Sequence, residues 1–464
     1  MSSIALYPSP GMGHLISMVE LGKLILKHHP SFSINILTLI PSFNTSTTAA
    51  YVHHISTTFP AIMFHHLPDI PLDPLLYPSM EATVFELIRR SSPNVDQALK
   101  SISQSSSVSA LVIDLFCTPA EIVASNLNIP VYYFFTSGAC CLAQLLYFPT
   151  LHESTNLSFK EMNTLIHSPG LPPIHSSDMA GPILDRNSSD YSDFLELSNR
   201  IAKSAGIIVN TFDSLEPKVI KAISNGECVL DGPTPPIYSI GPLVAEWAGG
   251  SHECLNWLDL QPKGSVVYLC FGSLGVFSSD QLKEIALGLE MSGHRFLWVV
   301  RTPPSTNKKE DRYLKPPEPD LDLLLPNGFL DRTKDKGLVV KTWAPQVMVL
   351  SHESIGGFVT HCGWNSVLEA VRAGVPMVAW PLYAEQRFNK VVLVEEMKLA
   401  LPMDELEGGR VPSSEVEKRV RQLMELEEGK AIREVATIRK EEAEIAMSDN
   451  GSSRAALSKL VAMW

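Results

Sequence analysis

Charge is scarce in this chain of 464 residues, and basic charge is the scarcer kind. Charged residues make up 19% of the chain, and 50 acidic against 37 basic residues leave a net charge of −13. A protein of this sign repels nucleic acid and anionic membranes, so we expect neither as a partner. The hydrophobic share of 45% is typical of a folded globular protein and argues against a disordered chain.

The sequence also lacks the signs of paired cysteines, of a secretory leader and of a membrane span. The seven cysteines are odd in number and lack C-x-x-C spacing, which predicts free thiols in a reducing compartment. The first 15 residues have no basic segment and contain two prolines, unlike a secretory signal. Residues 131–150 are uncharged but include Ser137 and Gln144, so we interpret them as a buried strand and helix. We therefore expect a cytoplasmic protein without a membrane span.

The order of predicted elements indicates an α/β protein with two domains. The chain is too long for one ordinary core, and both halves alternate strands with helices. We expect a first domain over residues 1–243, a linker of mostly small or polar residues over 244–253, and a second domain over 254–453. A last short helix is predicted over residues 454–464.

A turn near the N-terminus places one histidine at the start of a helix. The sequence P-S-P-G-M-G-H follows a short apolar strand and ends on His14. A dinucleotide-binding turn would need glycine where Ile16 stands, which disfavours an NAD-dependent dehydrogenase. The helix start disfavours the imidazolium and so biases His14 toward the neutral form that a general base requires. Taken alone, a histidine in this position more often has no catalytic role.

An acid lies at the end of a buried strand further along the chain. The apolar residues 110–113 lead directly to Asp114. Because a buried carboxylate is costly unless it is paired, Asp114 has either a specific partner or the role of a cap for a helix that begins near Thr118. The next strand, residues 131–136, ends on Thr136.

A second strand-to-helix turn is predicted in the C-terminal half. The apolar residues 355–360 lead through the turn H-C-G into a helix over residues 364–372. Backbone N–H groups and the helix dipole at such a turn favour phosphate. His361, Asn365 and Ser366 add side-chain donors there, so the sequence predicts a phosphate-binding turn.

Three more polar residues extend this site. Glu369 follows Ser366 by one helical turn and could accept a hydrogen bond from a ribose hydroxyl. Glu385 and Gln386 follow the strand over residues 375–380. In open α/β sheets ligands bind beyond the carboxyl ends of the strands, where a carboxylate and an amide can bind sugar hydroxyls.

The stretch from Trp343 to Gln386 resembles the signature box of the plant family 1 glycosyltransferases, which transfer sugar from a UDP-sugar. The match begins with W-A-P-Q, continues through H-C-G-W-N-S and ends on Glu385-Gln386, and the resemblance extends weakly over the whole chain. It implies the GT-B fold: two facing Rossmann-like domains with parallel sheets and the active site in the cleft. The first domain would bind the acceptor and the second the UDP-sugar, with the helix over 454–464 crossing back to the first.

The resemblance also implies a role for each candidate residue. His14 matches the catalytic base, and Asp114 matches the residue that hydrogen-bonds to it at the same edge of one sheet. Trp343 is implied as a platform for uracil. The residues implied to bind the UDP-sugar are Ser273, Trp343, Ala344, Gln346, His361, Gly363, Trp364, Asn365, Ser366, Glu369, Thr136, Glu385 and Gln386.

The donor and the metal requirement follow from the same resemblance. Family members that use glucuronic acid often carry Arg at the position of Trp364, and those that use galactose carry His at the position of Gln386, so glucose is favoured. A D-x-D motif or His/Asp cluster is missing where a metal would be needed, and we expect no metal and no cofactor. Attack from the far face of the sugar would invert the anomeric carbon.

The sequence therefore predicts an inverting, metal-independent enzyme that transfers glucose from UDP-glucose to a hydroxyl of a phenolic small molecule. Residues 7–21, which read Y-P-S-P-G-M-G-H-L-I-S-M-V-E-L, resemble a subgroup that acts on flavonoids, chalcones and simple phenols. Another donor sugar, attack by a carbon atom, and a UDP-binding regulatory protein stay open as alternatives. The acceptor itself is not identified, and we expect a monomer.

Overall fold

The computed structural model describes residues 2–40, 46–245, 252–304 and 317–464. The chain divides into two units, of which the first comprises Met1–Ala245 and Ile445–Trp464 and the second comprises Glu246–Glu444. Of the predicted linker over residues 244–253, residues 246–251 lie outside the described residues.

The first unit is built on a parallel sheet. Its strands are short apolar runs that are largely buried, as expected where helices cover both faces. The strands are β1 (Ser2–Tyr7), β2 (Ser33–Thr38), β3 (Ile62–His66), β4 (Ser107–Asp114), β5 (Val131–Phe135), β6 (Leu165–Ile166), β7 (Ile174–His175), β8 (Gly206–Val209) and β9 (Ile237–Ser239). Within the described residues, the order in the main sheet is β3-β2-β1-β4-β5-β8-β9, and β6 pairs separately with β7.

Helices connect these parallel strands, as the βα alternation requires. They are α1 (Met12–His28), α2 (Ser46–Thr58), α3 (Met80–Ser105), α4 (Ala120–Asn126), α5 (Ala139–Ser154), α6 (Phe159–Met162), α7 (Ser189–Ile201) and α8 (Pro217–Ser224). The uncharged residues 131–150 form β5 and the largely buried part of α5, as predicted. In the ranges that the structure describes, no helix is both long and apolar enough to cross a bilayer.

The second unit repeats this architecture with a smaller parallel sheet. Its strands are β10 (Val266–Cys270), β11 (Arg295–Val300), β12 (Gly337–Lys341), β13 (Ile355–Thr360), β14 (Met377–Ala379) and β15 (Ala400–Pro402). Their order among the described residues is β12-β11-β10-β13-β14-β15. Its helices are α9 (Glu253–Leu258), α10 (Ser279–Ser292), α11 (Leu321–Leu324), α12 (Phe329–Thr333), α13 (Gln346–Leu350), α14 (Trp364–Ala373), α15 (Gln386–Val391), α16 (Ser413–Glu425) and α17 (Glu427–Met447).

Large aromatic side chains fix the carboxyl ends of two interior strands of this second sheet. Phe271 directly follows β10 and Trp380 directly follows β14. Both are buried, and their rings meet edge to face with centroids 5.4 Å apart. Such packing holds the loops after these strands in place, and those loops carry several of the predicted site residues.

The C-terminal segment belongs to the first unit. Its helix α18 spans Ser452–Val461, and the Ser453 hydroxyl donates a 2.6 Å hydrogen bond to the carbonyl of Gly241. The sequence predicts that the second domain ends at residue 453, whereas the two compact units divide between Glu444 and Ile445. This change falls inside the continuous helix α17, where the sequence offers no turn signal.

Candidate active site

The first group of candidate residues lies where β1 ends. The strand stops at Tyr7, and α1 begins at Met12 after a short loop. Gly11, which directly precedes the helix, has φ of +135°, a conformation that residues with a side chain rarely adopt. This turn places His14 in the first turn of α1, with 30% of its side chain exposed.

Asp114, the last residue of β4, accepts a hydrogen bond from His14. Its Oδ2 lies 2.8 Å from His14 Nδ1, and its side chain is completely buried. Because β1 and β4 are parallel neighbours, the two residues meet at one edge of the sheet. With the Nδ1 hydrogen held by Asp114, the lone pair of the neutral imidazole is on Nε2. This is the arrangement in which a carboxylate orients a histidine as a general base.

The other carboxylate oxygen of Asp114 has its own partners. Oδ1 accepts a hydrogen bond of 2.5 Å from the Ser9 hydroxyl and one of 3.4 Å from the backbone N–H of Phe116. The second contact caps the short 3-10 helix Leu115–Cys117, which begins before the predicted start near Thr118. The sequence left two roles open for Asp114, as a helix cap or as the partner of another side chain. The structure shows both, with Oδ1 as the cap and Oδ2 as the partner of His14.

Thr136 and an aromatic wall complete the surroundings of His14. Thr136 directly follows β5, and its Oγ1 lies 3.4 Å from His14 Nδ1. The Phe116 ring lies edge-on to the imidazole with centroids 5.9 Å apart, and it packs in turn against Phe85 and Phe194. A held histidine beside aromatic rings suits the removal of a proton from an aromatic molecule.

In the second unit, the turn between β13 and α14 is held by neighbouring side chains. The backbone N–H of Cys362 donates to Thr360 Oγ1 at 3.3 Å, and its carbonyl accepts from Asn389 Nδ2 at 3.0 Å. Gly363, the residue before α14, supplies no side-chain cap. The first-turn N–H groups of such a helix favour an anion, as predicted for this turn.

His361 lies against two glycines in this turn. A Cβ on Gly272 would lie 2.5 Å from His361 Nε2, and a Cβ on Gly363 would clash with the same atom. The ring is buried, and its Nδ1 has no hydrogen-bond partner among the described residues. Burial lowers the pKa of His361 to about 4, so the ring is neutral at pH 7 and can offer a ligand only a neutral N–H donor.

Gln346, Ser366 and Glu369 form one hydrogen-bonded group. Gln346 opens α13, and its Nε2 donates to Ser366 Oγ at 2.8 Å and to Glu369 Oε2 at 2.7 Å. Ser366 and Glu369 lie one turn apart on α14, on the same face. Burial raises the pKa of Glu369 to about 7, against the opposing effect of the Gln346 hydrogen bond. Three residues predicted separately thus form a single polar cluster.

Trp343 and Ala344 form the segment that leads into α13. The Trp343 side chain is 47% exposed, and its ring centroid lies 5.1 Å from that of His252. Ala344 is buried and anchors the segment. An indole that is half exposed and supported by a second ring offers a face for a planar base.

Three other predicted residues lie at the turns of the second sheet. Trp364 and Asn365 open α14, the first buried and the second partly exposed, and Ser273 is exposed just after β10. Because β10 and β13 are parallel neighbours, the two turns lie at the same edge of the sheet. The contact of His361 with Gly272 joins them.

Gln386 and Glu385 differ in what their side chains do. Gln386 is 2% exposed, and its Oε1 accepts hydrogen bonds from the backbone N–H groups of Leu382 at 2.9 Å and Tyr383 at 3.0 Å. Its side chain therefore holds the turn after β14, and its amide nitrogen is the group with which it could donate to a ligand. Glu385 is partly exposed and precedes α15 without capping it.

Sequence reasoning missed several residues that hold these groups. Ser9 lies in the loop whose sequence was quoted for His14, and Gly272 lies in the loop that carries Ser273. Asn389 follows Gln386 by one helical turn. Their proximity in the chain to predicted site residues was a signal that could have indicated them. Their contacts could not be predicted, because these contacts join segments that are far apart in the chain.

Comparison with known proteins identifies the family. A family model described as UDP-glucoronosyl and UDP-glucosyl transferase matches residues 232–441. UDP-glycosyltransferase 88B1 of Stevia rebaudiana is 50% identical over 466 residues, which cover 100% of this chain and 99% of that protein. The chain belongs to the UDP-glycosyltransferase family. An anthocyanidin 5,3-O-glucosyltransferase of a Rosa hybrid cultivar is also 50% identical, over 100% of this chain and 98% of that protein.

A solved structure extends this likeness to the fold of the UDP-glycosyltransferase. Phytolacca americana UGT2, complexed with UDP-2fluoro-glucose and pterostilbene, matches with a TM-score of 0.89 and 40% identity over 100% of both chains. The predicted GT-B fold class and enzyme class are confirmed, and a UDP-sugar is a substrate of this enzyme. Among the described residues, no group of three or more His, Cys, Asp or Glu side chains is arranged to hold a metal ion.

Proposed function

We propose that this UDP-glycosyltransferase transfers glucose from UDP-glucose to a hydroxyl of a phenolic small molecule, with inversion at the anomeric carbon. The observation that carries the proposal is the 2.8 Å hydrogen bond between His14 and the buried Asp114. The substrate classes are supported by relatives, since the Rosa enzyme is named for anthocyanidin and the Phytolacca enzyme holds pterostilbene with a fluorinated UDP-glucose.

The acceptor hydroxyl gives its proton to His14 Nε2 as its oxygen attacks the anomeric carbon. The bond from that carbon to the diphosphate oxygen breaks, and its electron pair leaves with UDP. Asp114 keeps the ring oriented and stabilises the imidazolium that forms. A phenol suits this base, because its pKa of about 10 leaves little driving force to supply.

The diphosphate is assigned to the turn before α14. The helix start, the neutral His361 ring, Ser366 and Ser273 would donate hydrogen bonds to the phosphates and stabilise the charge of the departing UDP. These donors take the place of a divalent metal, so the proposed reaction needs none.

The nucleoside is assigned to the segment from Trp343 to Glu369. Stacking of uracil on Trp343 would contribute roughly 1–3 kcal/mol, by analogy with other base–aromatic contacts. The carboxylate of Glu369, oriented by Gln346 at 2.7 Å, would accept a hydrogen bond from the ribose.

The sugar is assigned to Glu385, Gln386 and Thr136. Glucose and galactose differ in the direction of one hydroxyl, and a site built to pair that hydroxyl discriminates against the other sugar. The amide nitrogen of Gln386 and the carboxylate of Glu385 are the groups that we assign to this pairing.

The test is a UDP-glucose assay over a panel of plant phenolics, with the product's mass, linkage and anomeric configuration determined. His14→Ala is expected to lower kcat by about 10²–10⁴-fold, while UDP affinity measured by calorimetry stays within about twofold. His28→Ala removes an imidazole at the other end of the same helix and should leave turnover unchanged. The proposal fails if no phenol is glucosylated, or if His14→Ala turns over like the wild type.

We also propose that the enzyme acts as a cytoplasmic monomer. None of the seven cysteines, all of which lie within the described residues, is part of a disulfide, which suits a reducing compartment. Light scattering of the purified protein and imaging of a fluorescent fusion test the two statements. A stable dimer, or retention in the secretory pathway, would contradict them.

A further inference from the structure

A serine lies behind the His14–Asp114 pair. The Ser9 hydroxyl donates a 2.5 Å hydrogen bond to Asp114 Oδ1, while Asp114 Oδ2 accepts from His14 at 2.8 Å. Ser9 is 2% exposed and Asp114 is not exposed at all. The three side chains therefore form one chain of hydrogen bonds, of which His14 is the end that is partly exposed.

We propose that Ser9 is a positioning residue of the transfer reaction, acting on His14 through Asp114. The inference rests on the proposed role of His14 as general base. Ser9 itself does not touch the reacting atoms; it fixes which carboxylate oxygen faces the imidazole and how much negative charge that oxygen carries.

The distances show why Ser9 fixes the carboxylate. The carboxylate of Asp114 can rotate about its Cβ–Cγ bond unless both oxygens are held. Besides the Ser9 hydroxyl, the backbone N–H of Phe116 donates to Oδ1, and this contact is long at 3.4 Å. The short Ser9 contact is a charge-assisted hydrogen bond, which is about twice as strong as a neutral one. It holds Oδ1 and thereby directs Oδ2 toward His14.

The hydroxyl of Ser9 also affects the charge that His14 meets. A donor on one oxygen of a carboxylate draws negative charge away from the other. Without that donor, the neutral ring would hold Oδ2 less firmly, but the positive charge of the imidazolium would still draw Oδ2 toward it, and the carboxylate, with its full charge, would raise the pKa of His14. The general base would then become protonated at a higher pH, and the acid limb of the pH–rate profile would move to higher pH.

The first test is Ser9→Ala, with kcat and KM measured against pH. We expect about a tenfold fall in kcat, as for loss of a hydrogen bond to a charged group, with KM for UDP-glucose within about twofold. The acid limb of the profile should move to higher pH. A kcat and an acid limb both equal to those of the wild type would overturn the inference.

A double-mutant cycle separates positioning from a purely structural role. If Ser9 acts through Asp114, then Ser9→Ala should cost nothing further in an Asp114→Ala background. Equal losses in both backgrounds would mean that Ser9 supports the fold independently of Asp114, and would overturn the inference.

Two more variants control for the loss of a buried hydroxyl. Ser9→Thr keeps the hydroxyl, and a cavity of about 10 Å³ that Ser9 lines lies beside it, so we expect near-normal kcat. Ser91→Ala removes an equally buried hydroxyl, one that bonds to the Leu87 carbonyl in α3, and should leave the acid limb in place. Failure of Ser9→Thr to restore kcat in a folded protein would contradict the inference.

A titration by NMR tests the inference without turnover. The imidazole signal of His14 in the isotope-labelled enzyme is assigned by its loss in His14→Ala, and its pKa is compared between the wild type and Ser9→Ala. A raised pKa supports the inference, and an unchanged pKa overturns it. Because this readout needs no acceptor, failure of the proposed glucosyl transfer would be seen separately, as an absence of product from the wild type.

Discussion

Replacing Asp114 with Asn tests the candidate base, because it separates the two functions of the carboxylate. The donors from Ser9 and Phe116 both point at Oδ1, whereas Oδ2 accepts from His14. An Asn side chain has one acceptor oxygen, and these two donors will hold it at the Oδ1 position. Its NH₂ group then points at His14, whose Nδ1 must become an acceptor. The ring hydrogen moves to Nε2, the atom that should take the proton of the acceptor substrate.

The expected loss follows from this change of tautomer. General-base catalysis is worth about 10²–10⁴-fold, and the corresponding Asn substitution in a serine protease triad costs about 10⁴-fold. We expect kcat of Asp114→Asn to fall by about 10³-fold, which corresponds to about 4 kcal/mol in activation free energy. The free energy of unfolding should change by less than about 1 kcal/mol, because Asn replaces Asp well as a helix cap.

The assay measures kcat with UDP-glucose and one good phenol, together with denaturant unfolding of each variant. Asp73→Asn is the matched control, since Asp73 caps another short 3-10 helix of the first unit, Pro74–Leu76, and its kcat should equal that of the wild type. A more acidic phenol should lose less rate, because it is already partly ionised. Turnover of Asp114→Asn within about threefold of the wild type would refute the reasoning and leave Asp114 as a cap alone.

Four other perturbations have outcomes that the structure predicts. Gln386→His should lower kcat/KM for UDP-glucose by about tenfold or more, as measured beside UDP-galactose and UDP-glucuronate, which should be poor donors. Turnover should persist in excess EDTA, because protein groups are assigned to the diphosphate. Gly272→Ala should weaken UDP binding in calorimetry by about tenfold or more, because its Cβ would lie 2.5 Å from His361 Nε2. Denaturant unfolding should show that acidification from pH 6.5 toward 4 lowers the free energy of unfolding, with His361 contributing roughly 3 kcal/mol, since its pKa is lowered to about 4 in the folded protein.

Each of these outcomes has a clear contrary. Equal kcat/KM for the three sugars would mean that Gln386 does not select the donor, and Gln386→Glu, which keeps an acceptor for the two backbone N–H groups, controls for damage to the turn. Rescue of an EDTA-silenced enzyme by magnesium would contradict the metal-free reaction. Unchanged UDP affinity of Gly272→Ala would remove His361 from the phosphate site. The sign of the pH effect follows from the unfolded chain, in which this imidazole binds a proton below pH 6.5 while the buried ring of the folded protein does not. If His361→Gln loses just as much stability on acidification as the wild type, the loss of stability is caused by other groups.

Local sequence pattern was enough to predict the strands and helices that carry the site residues. The apolar run before the turn H-C-G predicted a strand, and the structure has β13 ending at Thr360 and α14 beginning at Trp364. Such elements are encoded by neighbouring residues, through burial pattern and turn chemistry. The segment over residues 375–380 was predicted from the same kind of signal, but the paired strand is shorter, Met377–Ala379, because its length depends on its neighbours in the sheet.

The return of the chain to the first unit depends on contacts that local pattern does not encode. The predicted boundary at residue 454 follows a turn signal, yet the first unit resumes at Ile445, inside a helix with no break in its pattern. Membership of a unit depends on which distant residues pack against a segment, and no local signal carries that information.

By itself, the sequence determined the family, the organisation into two α/β halves and the identity of the candidate site residues, because short motifs and local periodicity encode each of them. The tertiary structure alone decided their chemical states. Burial by distant segments makes His361 neutral and raises the pKa of Glu369 to about 7, and the fold turns the Gln386 oxygen toward its own backbone. The Ser9 hydroxyl meets Asp114 from 105 positions away, since parallel strands bring their carboxyl ends together whatever their separation in the chain.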